Sequence, residues 1–98
     1  MTLIFLWLDD PARAVGRVAQ RVAEGGHDIP REVIVRRYWA GLRNLMGMYL
    51  PLADAAQIYD HSDGMGVLVA SKARGAGVVV YDGRRWVRLK EAVDEGHD

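Results

Sequence analysis

An uninterrupted apolar run, Leu3–Leu8, is the feature that most constrains the fold of this chain. Its residues do not alternate with polar ones, which is typical of a strand buried on both faces in a parallel sheet covered by helices. Such a strand needs neighbours on both edges. The run is too short to span a membrane, and no basic segment precedes it as in a signal peptide. We therefore expect a soluble, cytoplasmic α/β protein.

Length and composition fit one small domain, residues 1–98, of which half are hydrophobic. A domain of this size buries a limited share of its surface, so association with a second copy would add stability. The chain has no cysteine, which excludes disulfides, cysteine metal sites and cysteine nucleophiles. Its 13 basic and 13 acidic residues balance, which makes nucleic-acid binding the weakest of the functions considered.

A first helix is predicted directly after the apolar run. Asp10 suits the N-cap position and Pro11 the first helical position, and the helix should extend to about Glu24. Gly25 and Gly26 then end it. Its apolar stripe consists of Val15, Val18, Ala19 and Val22.

A second helix is predicted from near Pro30 to about Tyr49, where Pro51 should bar its continuation. Helical spacing relates its apolar positions, which are Ile34, Tyr38, Leu42, Leu45 and Tyr49. Residues 9–50 would thus form a helical hairpin around a Gly-Gly hinge.

Three short strands are predicted next: Gln57–Tyr59, ending at Asp60, and then Val67–Ala70 and Val78–Tyr81, which the segment SKARGAG separates. The order of strand, two helices, strand, hairpin and a last element indicates an α/β chain that looks like half of a larger doubly wound fold.

The C-terminal segment leaves two possibilities open. Asp82 and Gly83 predict a turn, and Trp86–Asp94 could be a further strand or a closing helix. We favour a helix from about Val87, and we expect the last residues, EGHD, to fray.

The arginines of the first helix, Arg13, Arg17 and Arg21, are four residues apart and share one face. Arg13 can pair with a preceding aspartate and Arg21 with Glu24, but Arg17 has no acid three or four residues away. Arg37 on the second helix is similarly left over. Such a row can be an ordinary solvated face. It can also be a clamp, in which a flexible hinge brings arginines around a polyphosphate.

His27 lies in the hinge, beside two glycines and an aspartate. A lone histidine there is typical of a loop residue hydrogen-bonded to the backbone. No second histidine lies at ligand spacing, so we expect no metal site.

The chain contains, in this order, LIFLWLDDP, RVAEGGHDIP, IVRRY, LPLAD and IYDHSD. Together these segments resemble the C-terminal half of zeta-toxin-like P-loop small-molecule kinases, over roughly residues 3–89. The resemblance implies a partial P-loop-kinase-like, three-layer fold. It would have a short, mainly parallel sheet, a lid-type helical hairpin within residues 9–50 and a C-terminal β-hairpin.

The resemblance also implies that the lid around GGH closes over Mg-ATP, with Arg21 and Arg37 facing the phosphates. With the left-over Arg17 and the hinge histidine, the candidate cofactor-binding residues are Arg17, Arg21, Arg37 and His27.

The departures from that family concern catalysis. There is no G-x-x-x-x-G-K-[ST] loop, and neither Lys72 nor Lys90 follows a glycine loop. The catalytic aspartate of such kinases belongs to a part that the resemblance does not cover. His61 stands where the family usually has asparagine. We therefore assign no catalytic residue and expect no kinase turnover by the chain alone.

Three functions are consistent with these observations. The chain could be a truncated kinase-like protein with an ATP-phosphate-facing arginine lid, which needs a P-loop-bearing partner chain. It could instead be a non-catalytic structural or interaction domain that forms a homodimer. A nucleic-acid binder that uses the arginine face is the third and weakest, because aromatic residues do not alternate with the arginines.

Overall fold

The computed structural model describes residues 1–95, so the expected fraying of the last three residues lies outside the described part, and Glu95 still belongs to a helix. The elements within it are, in chain order, β1 (Thr2–Trp7), α1 (Pro11–Ala23), α2 (Arg31–Asn44), a π-helical segment (Leu45–Tyr49), α3 (Leu50–Leu52), β2 (Ala55–Asp60), β3 (Val67–Lys72), β4 (Val78–Val80) and α4 (Gly83–Glu95).

The four strands of the described residues form one mixed sheet in the order β1-β2-β3-β4. β1 runs parallel to β2, with Thr2 opposite Ala55 and Trp7 opposite Asp60, whereas β2–β3 and β3–β4 are antiparallel. The α/β class and the C-terminal β-hairpin, formed by β3 and β4, are confirmed. The prediction of a mainly parallel sheet is wrong, because only the β1–β2 pair is linked by a helical crossover.

One face of this sheet carries the core. Side chains of α2, the π-helical segment, α3 and α4 cover it and meet alternate residues of the strands. The core residues are Trp7, Leu42, Leu45, Leu50, Ala53, Ala56, Ile58, Val69, Ala70 and Leu89. A register shift next to Ile58 is the reason that two consecutive residues of β3 are both buried.

No helix of residues 1–95 covers the opposite face of the sheet, and we call it the open face. From the strand pairing, its residues are Thr2, Ile4, Leu6, Ala55, Gln57, Tyr59, Leu68, Ser71, Val79 and Tyr81. Ile4 is 62% exposed, Leu6 51%, Val79 51% and Tyr81 58%. The prediction that β1 is buried on both faces is therefore wrong, as is the three-layer arrangement: β1 is an edge strand, and the described helices lie on one side of the sheet.

The first helix begins as predicted. Asp10 is its N-cap, with Oδ1 accepting a hydrogen bond from the Ala12 N–H at 2.8 Å, and Pro11 is its first residue. Gly25, with a φ of 98°, follows its last turn in a conformation that favours glycine. No residue of α1 is buried, and the helix packs on α2 to form the expected hairpin.

The second helix does not stop before Pro51. The Leu50 N–H donates to the Leu45 carbonyl, five residues back, and the helical path continues through Leu52. Proline lacks an N–H and clashes with the carbonyl four residues before it, so an ordinary α-turn would be strained here. The wider π-helical turn accommodates the ring, which the sequence rule for proline does not anticipate.

The last helix begins at Gly83 rather than near Val87. The Asp82 side chain accepts a hydrogen bond from the Arg85 N–H at 3.1 Å, and its carbonyl accepts one from the Trp86 N–H at 3.0 Å. Asp82 is therefore a helix N-cap and not part of a hairpin turn. The strand alternative for this segment is excluded. None of the helices in residues 1–95 combines the length and apolar character that a membrane span requires.

Candidate functional site

Polar side chains gather where β1 and β2 end. Because these strands are parallel, their carboxyl ends meet at one edge of the sheet, where the Trp7 carbonyl accepts a hydrogen bond from the His61 N–H at 2.8 Å. Asp9 follows β1 there and Asp60 ends β2. The Asp9 N–H donates to Ser62 Oγ at 2.9 Å, so the two strand ends are joined through backbone and side chain.

Arginines from both ends of the chain bind Asp9. Arg13 Nε donates to Asp9 Oδ1 at 2.7 Å, which confirms the predicted pair, and Arg88 Nη2 donates to Oδ2 at 2.8 Å. The Arg88 guanidinium also lies 5.9 Å from the centroid of the Trp7 ring. Burial raises the pKa of Asp9, but hydrogen bonds from Arg13, Arg88 and Ser62 outweigh it and hold this pKa below its ordinary value.

Asp60 is the buried carboxylate of the cluster, with 4% of its surface exposed. It accepts hydrogen bonds from the Ser62 N–H at 2.9 Å, from the Ser62 hydroxyl, and from Arg85 Nε at 2.9 Å. Arg85 Nη1 also donates to Asp82 Oδ2 at 2.6 Å. Burial raises the pKa of Asp60, but the bonds from Ser62 and Arg85 outweigh burial and lower it. Both central carboxylates are thus ionised and paired, which suits them to hold the strand ends together rather than to accept protons.

Arg17 and Arg21 lie side by side on α1. They line one shallow surface depression together with Gln20 and Glu24. Arg17 Nη2 donates to the His61 carbonyl at 3.0 Å, and neither arginine forms an ion pair within residues 1–95. The predicted pairing of Arg21 with Glu24 is wrong, since Glu24 instead accepts a long hydrogen bond of 3.5 Å from Gln20.

Arg37 lies in a different place. It lines an apolar groove of about 210 Å³ between the outer edge of β1 and α2. Its side chain is exposed and forms no ion pair with any other described residue, as its leftover status in the sequence predicts. His27 is exposed in the loop that joins α1 to α2. The structure therefore brings Arg17 and Arg21 together and places Arg37 and His27 elsewhere.

The groove has one further polar contact. The Tyr38 hydroxyl donates a hydrogen bond to the Leu8 carbonyl, which lies just beyond the end of β1. Burial raises the pKa of Tyr38 to about 12, so this hydroxyl stays protonated as a donor. In the described part of the chain, no group of three His, Asp or Glu side chains is placed to hold a metal ion.

Sequence reasoning missed the roles of Arg85 and Arg88 and the open face. The two aspartates that follow β1 and β2 are a signal for the cluster, because parallel strands end at one edge. Nothing local to the sequence says that arginines from α4 reach them. The open face was missed because an apolar run looks the same whether its second face meets helices of its own chain or another surface.

Comparisons with known proteins add no relative. No protein-family model matches the sequence, and neither a curated protein nor a solved structure matches the chain. The kinase resemblance of its ordered motifs therefore stays a prediction.

Proposed function

We propose that this chain is a non-catalytic interaction domain that forms a homodimer through its open face. The observation that supports this proposal is the apolar character of that face, on which Ile4, Leu6, Val79 and Tyr81 are all more than half exposed. These exposed apolar side chains lie at both edges of the sheet, and an uncovered apolar surface is a common mark of a protein–protein interface.

The charge of the open face favours a second copy as the occupant. None of its ten positions holds Asp, Glu, Lys or Arg, so two copies can stack without burying an unpaired charge. A two-fold axis places the same patch on both sides of such an interface. The stacked sheets would lie about 10 Å apart with their strands roughly aligned.

The open face is small compared with the interfaces of stable complexes. Strands of six residues span about 20 Å, and the three gaps of a four-stranded sheet span about 14 Å, which makes a footprint of roughly 300 Å². Stable complexes bury about 800 Å² on each partner. We therefore expect a weak dimer with a dissociation constant in the micromolar range or above, in exchange with monomer.

Sedimentation equilibrium over a wide concentration range tests the proposal. Val79→Lys places a charge on the open face, on its outer strand β4, and should leave the chain monomeric where the wild type dimerises. Val87→Lys is the matched control, because Val87 is also about half exposed (53%) but lies on α4, away from the open face. A wild type that stays monomeric at millimolar concentration, or equal effects of the two lysines, would refute the open-face dimer.

A second candidate function rests on the depression that Arg17 and Arg21 share. We propose that the chain is a relative of the zeta-toxin-like kinases whose lid segment still binds the phosphates of Mg-ATP. Two guanidinium groups without ion pairs offer donors suited to a polyphosphate. The 98 residues contain no P-loop, so phosphoryl transfer would need a partner chain that carries one.

Calorimetric titration with Mg-ATP separates this candidate from the first. Binding should be weak, should disappear in an Arg17→Ala/Arg21→Ala double variant, and should persist in Arg74→Ala, which removes an exposed arginine from the β3–β4 loop. The single variants Arg37→Ala and His27→Ala then ask whether closure of the hinge brings those residues to the phosphates, since either should weaken binding if it does. Absence of any binding by the wild type would eliminate the phosphate-binding function and leave the open-face dimer untouched.

A further inference from the structure

The outer edge of β1 has unpaired backbone groups. Trp7 and Met1 direct their carbonyls toward β2, where these accept hydrogen bonds from the N–H groups of His61 at 2.8 Å and Asp54 at 2.9 Å. Backbone groups of alternate residues in a strand point to opposite edges. Those of the intervening residues Thr2, Ile4 and Leu6 therefore point outward, where no strand of residues 1–95 pairs with them.

This edge also lacks the features that protect an edge strand. β1 has six residues, TLIFLW, with no charge, proline or glycine. The opposite edge of the sheet, β4, has only three residues, and a strand that short offers little to pair with. A long, uncharged, apolar edge strand is the kind that accepts an added strand.

A groove lies beside this edge and would hold the side chains of an added strand. It is the groove of about 210 Å³ described above, with an apolar lining that includes Phe5, Leu6 and Leu42. α2 forms its other wall, since the Tyr38 hydroxyl of that helix donates to the Leu8 carbonyl. Gly41 also lines it, and a Cβ at that position would meet nothing within 4 Å, so the wall is open there.

The charge of the groove indicates what kind of strand fits it. Arg37 lines the groove without an ion pair in the described residues, and α2 as a whole carries four arginines against one glutamate. A second copy of β1 brings no acidic residue to this position. Charge complementarity therefore favours a different chain, one that carries a carboxylate.

We propose that the outer edge of β1 binds an extended segment of a partner protein by strand addition. Alternate apolar side chains of that segment fill the groove, and one carboxylate of it contacts Arg37. This inference goes beyond the open-face dimer, because strand addition uses the outward backbone groups of β1 and the groove, which shares only Leu6 with the open face among the described residues.

Fluorescence anisotropy with a labelled synthetic peptide tests the proposal. The probe alternates valine and threonine and carries one glutamate, and its control carries glutamine instead. The glutamate probe should bind roughly two- to fivefold more tightly at low salt, which is the usual worth of an exposed ion pair. Arg37→Ala should remove that difference, while Arg74→Ala should preserve it.

Backbone pairing is tested separately. Leu6→Pro removes an outward N–H without touching the hydrogen bonds to β2, so it should weaken binding at least tenfold. Leu6→Thr is the matched control, because it loses the same groove-lining side chain but keeps the N–H, and it should bind more tightly than Leu6→Pro. Two further probes, N-methylated at the odd or at the even positions, test the same point on the unaltered protein. One of them should fail to bind, because its methyl groups replace the N–H groups that pair with β1.

Several results would overturn the proposal. These are no binding of either the glutamate or the glutamine probe, equal binding of the two, or full binding of both N-methylated probes. Self-association that Leu6→Pro abolishes and Val79→Lys leaves intact would also overturn it, because the edge would then be occupied by a second copy.

Discussion

The two faces of the sheet are built from alternate residues of the same strands, yet they have different surroundings. On the covered face, Trp7 and Ile58 are almost completely buried, and on the open face, their neighbours Leu6 and Ile4 are more than half exposed. A sheet with one wet face usually alternates apolar and polar residues. Here β1 is apolar on both sides. Its apolar residues could form two interfaces, but the described helices cover only one of them.

The two edges of the sheet repeat this contrast. β4 ends the sheet with three residues, whereas β1 ends it with six uncharged ones. Both the open face and the outer edge of β1 thus have the composition of contact surfaces.

The largest expected difference lies between two isoleucines. Ile58→Ala on the covered face should reduce the free energy of unfolding by about 2–5 kcal/mol, because it removes packed methyl groups and leaves a cavity. Ile4→Ala on the open face of the isolated monomer should change it by about 0.5 kcal/mol or less. Urea denaturation at low protein concentration measures both. A cost for Ile4→Ala near that for Ile58→Ala would show that the open face is covered even in the monomer.

A smaller difference is expected between two aspartates. Asp60→Asn removes the charge that pairs with Arg85 at the end of β2, where the carboxylate is buried, and should cost about 1–3 kcal/mol. Asp54→Asn removes the exposed partner of the Met1 ammonium and should have little effect. Urea midpoints of the two variants provide the measurement. Equal midpoints would mean that the paired strand ends contribute no more than a surface contact.

The same cluster predicts a dependence of stability on pH. The folded-state pKa values of Asp9 and Asp60 lie below the ordinary value of 3.8. Their contribution is therefore complete above that value and is lost as the pH falls through the lower folded pKa. The urea midpoint of the wild type should decline as the pH is lowered below about 4. The urea midpoint of an Asp9→Asn/Asp60→Asn variant should decline less steeply. A slope equal to that of the wild type would contradict the role of these two carboxylates in the pH dependence.

The sequence was sufficient for the elements whose signals are local. Asp10 and Pro11 predict the start of α1, and the glycines after Glu24 predict its end, because capping and positive φ are properties of a few consecutive residues. The order of strands and helices followed from the same kind of signal. Pro51 and Asp82 failed the local rules for physical reasons: a π-helical turn relieves the proline, and the aspartate caps a helix instead of making a turn.

The rest depends on tertiary packing, which no local pattern contains. The leftover arginines were recognised from spacing, and Arg17 and Arg37 do lack ion pairs among the described residues. Spacing could not say that Arg37 faces a groove at the edge of β1 while Arg17 contacts the carbonyl of His61. Whether a closed hinge brings them together depends on a ligand, and the Mg-ATP titration addresses that question.

The smallest expected difference lies between two tyrosine hydroxyls. Tyr38 donates to the Leu8 carbonyl on the covered side, and Tyr38→Phe should cost about 1 kcal/mol because that acceptor loses its partner in a half-buried place. The Tyr81 hydroxyl lies 2.9 Å from Ser71 Oγ on the open face, and Tyr81→Phe should change the unfolding free energy of the monomer by about 0.5 kcal/mol or less. Urea denaturation at low and high protein concentration makes the comparison sharper. If the open face pairs with a second copy, the stability costs of the two substitutions should become more alike at high protein concentration. A difference between these costs that is independent of concentration would count against the dimer.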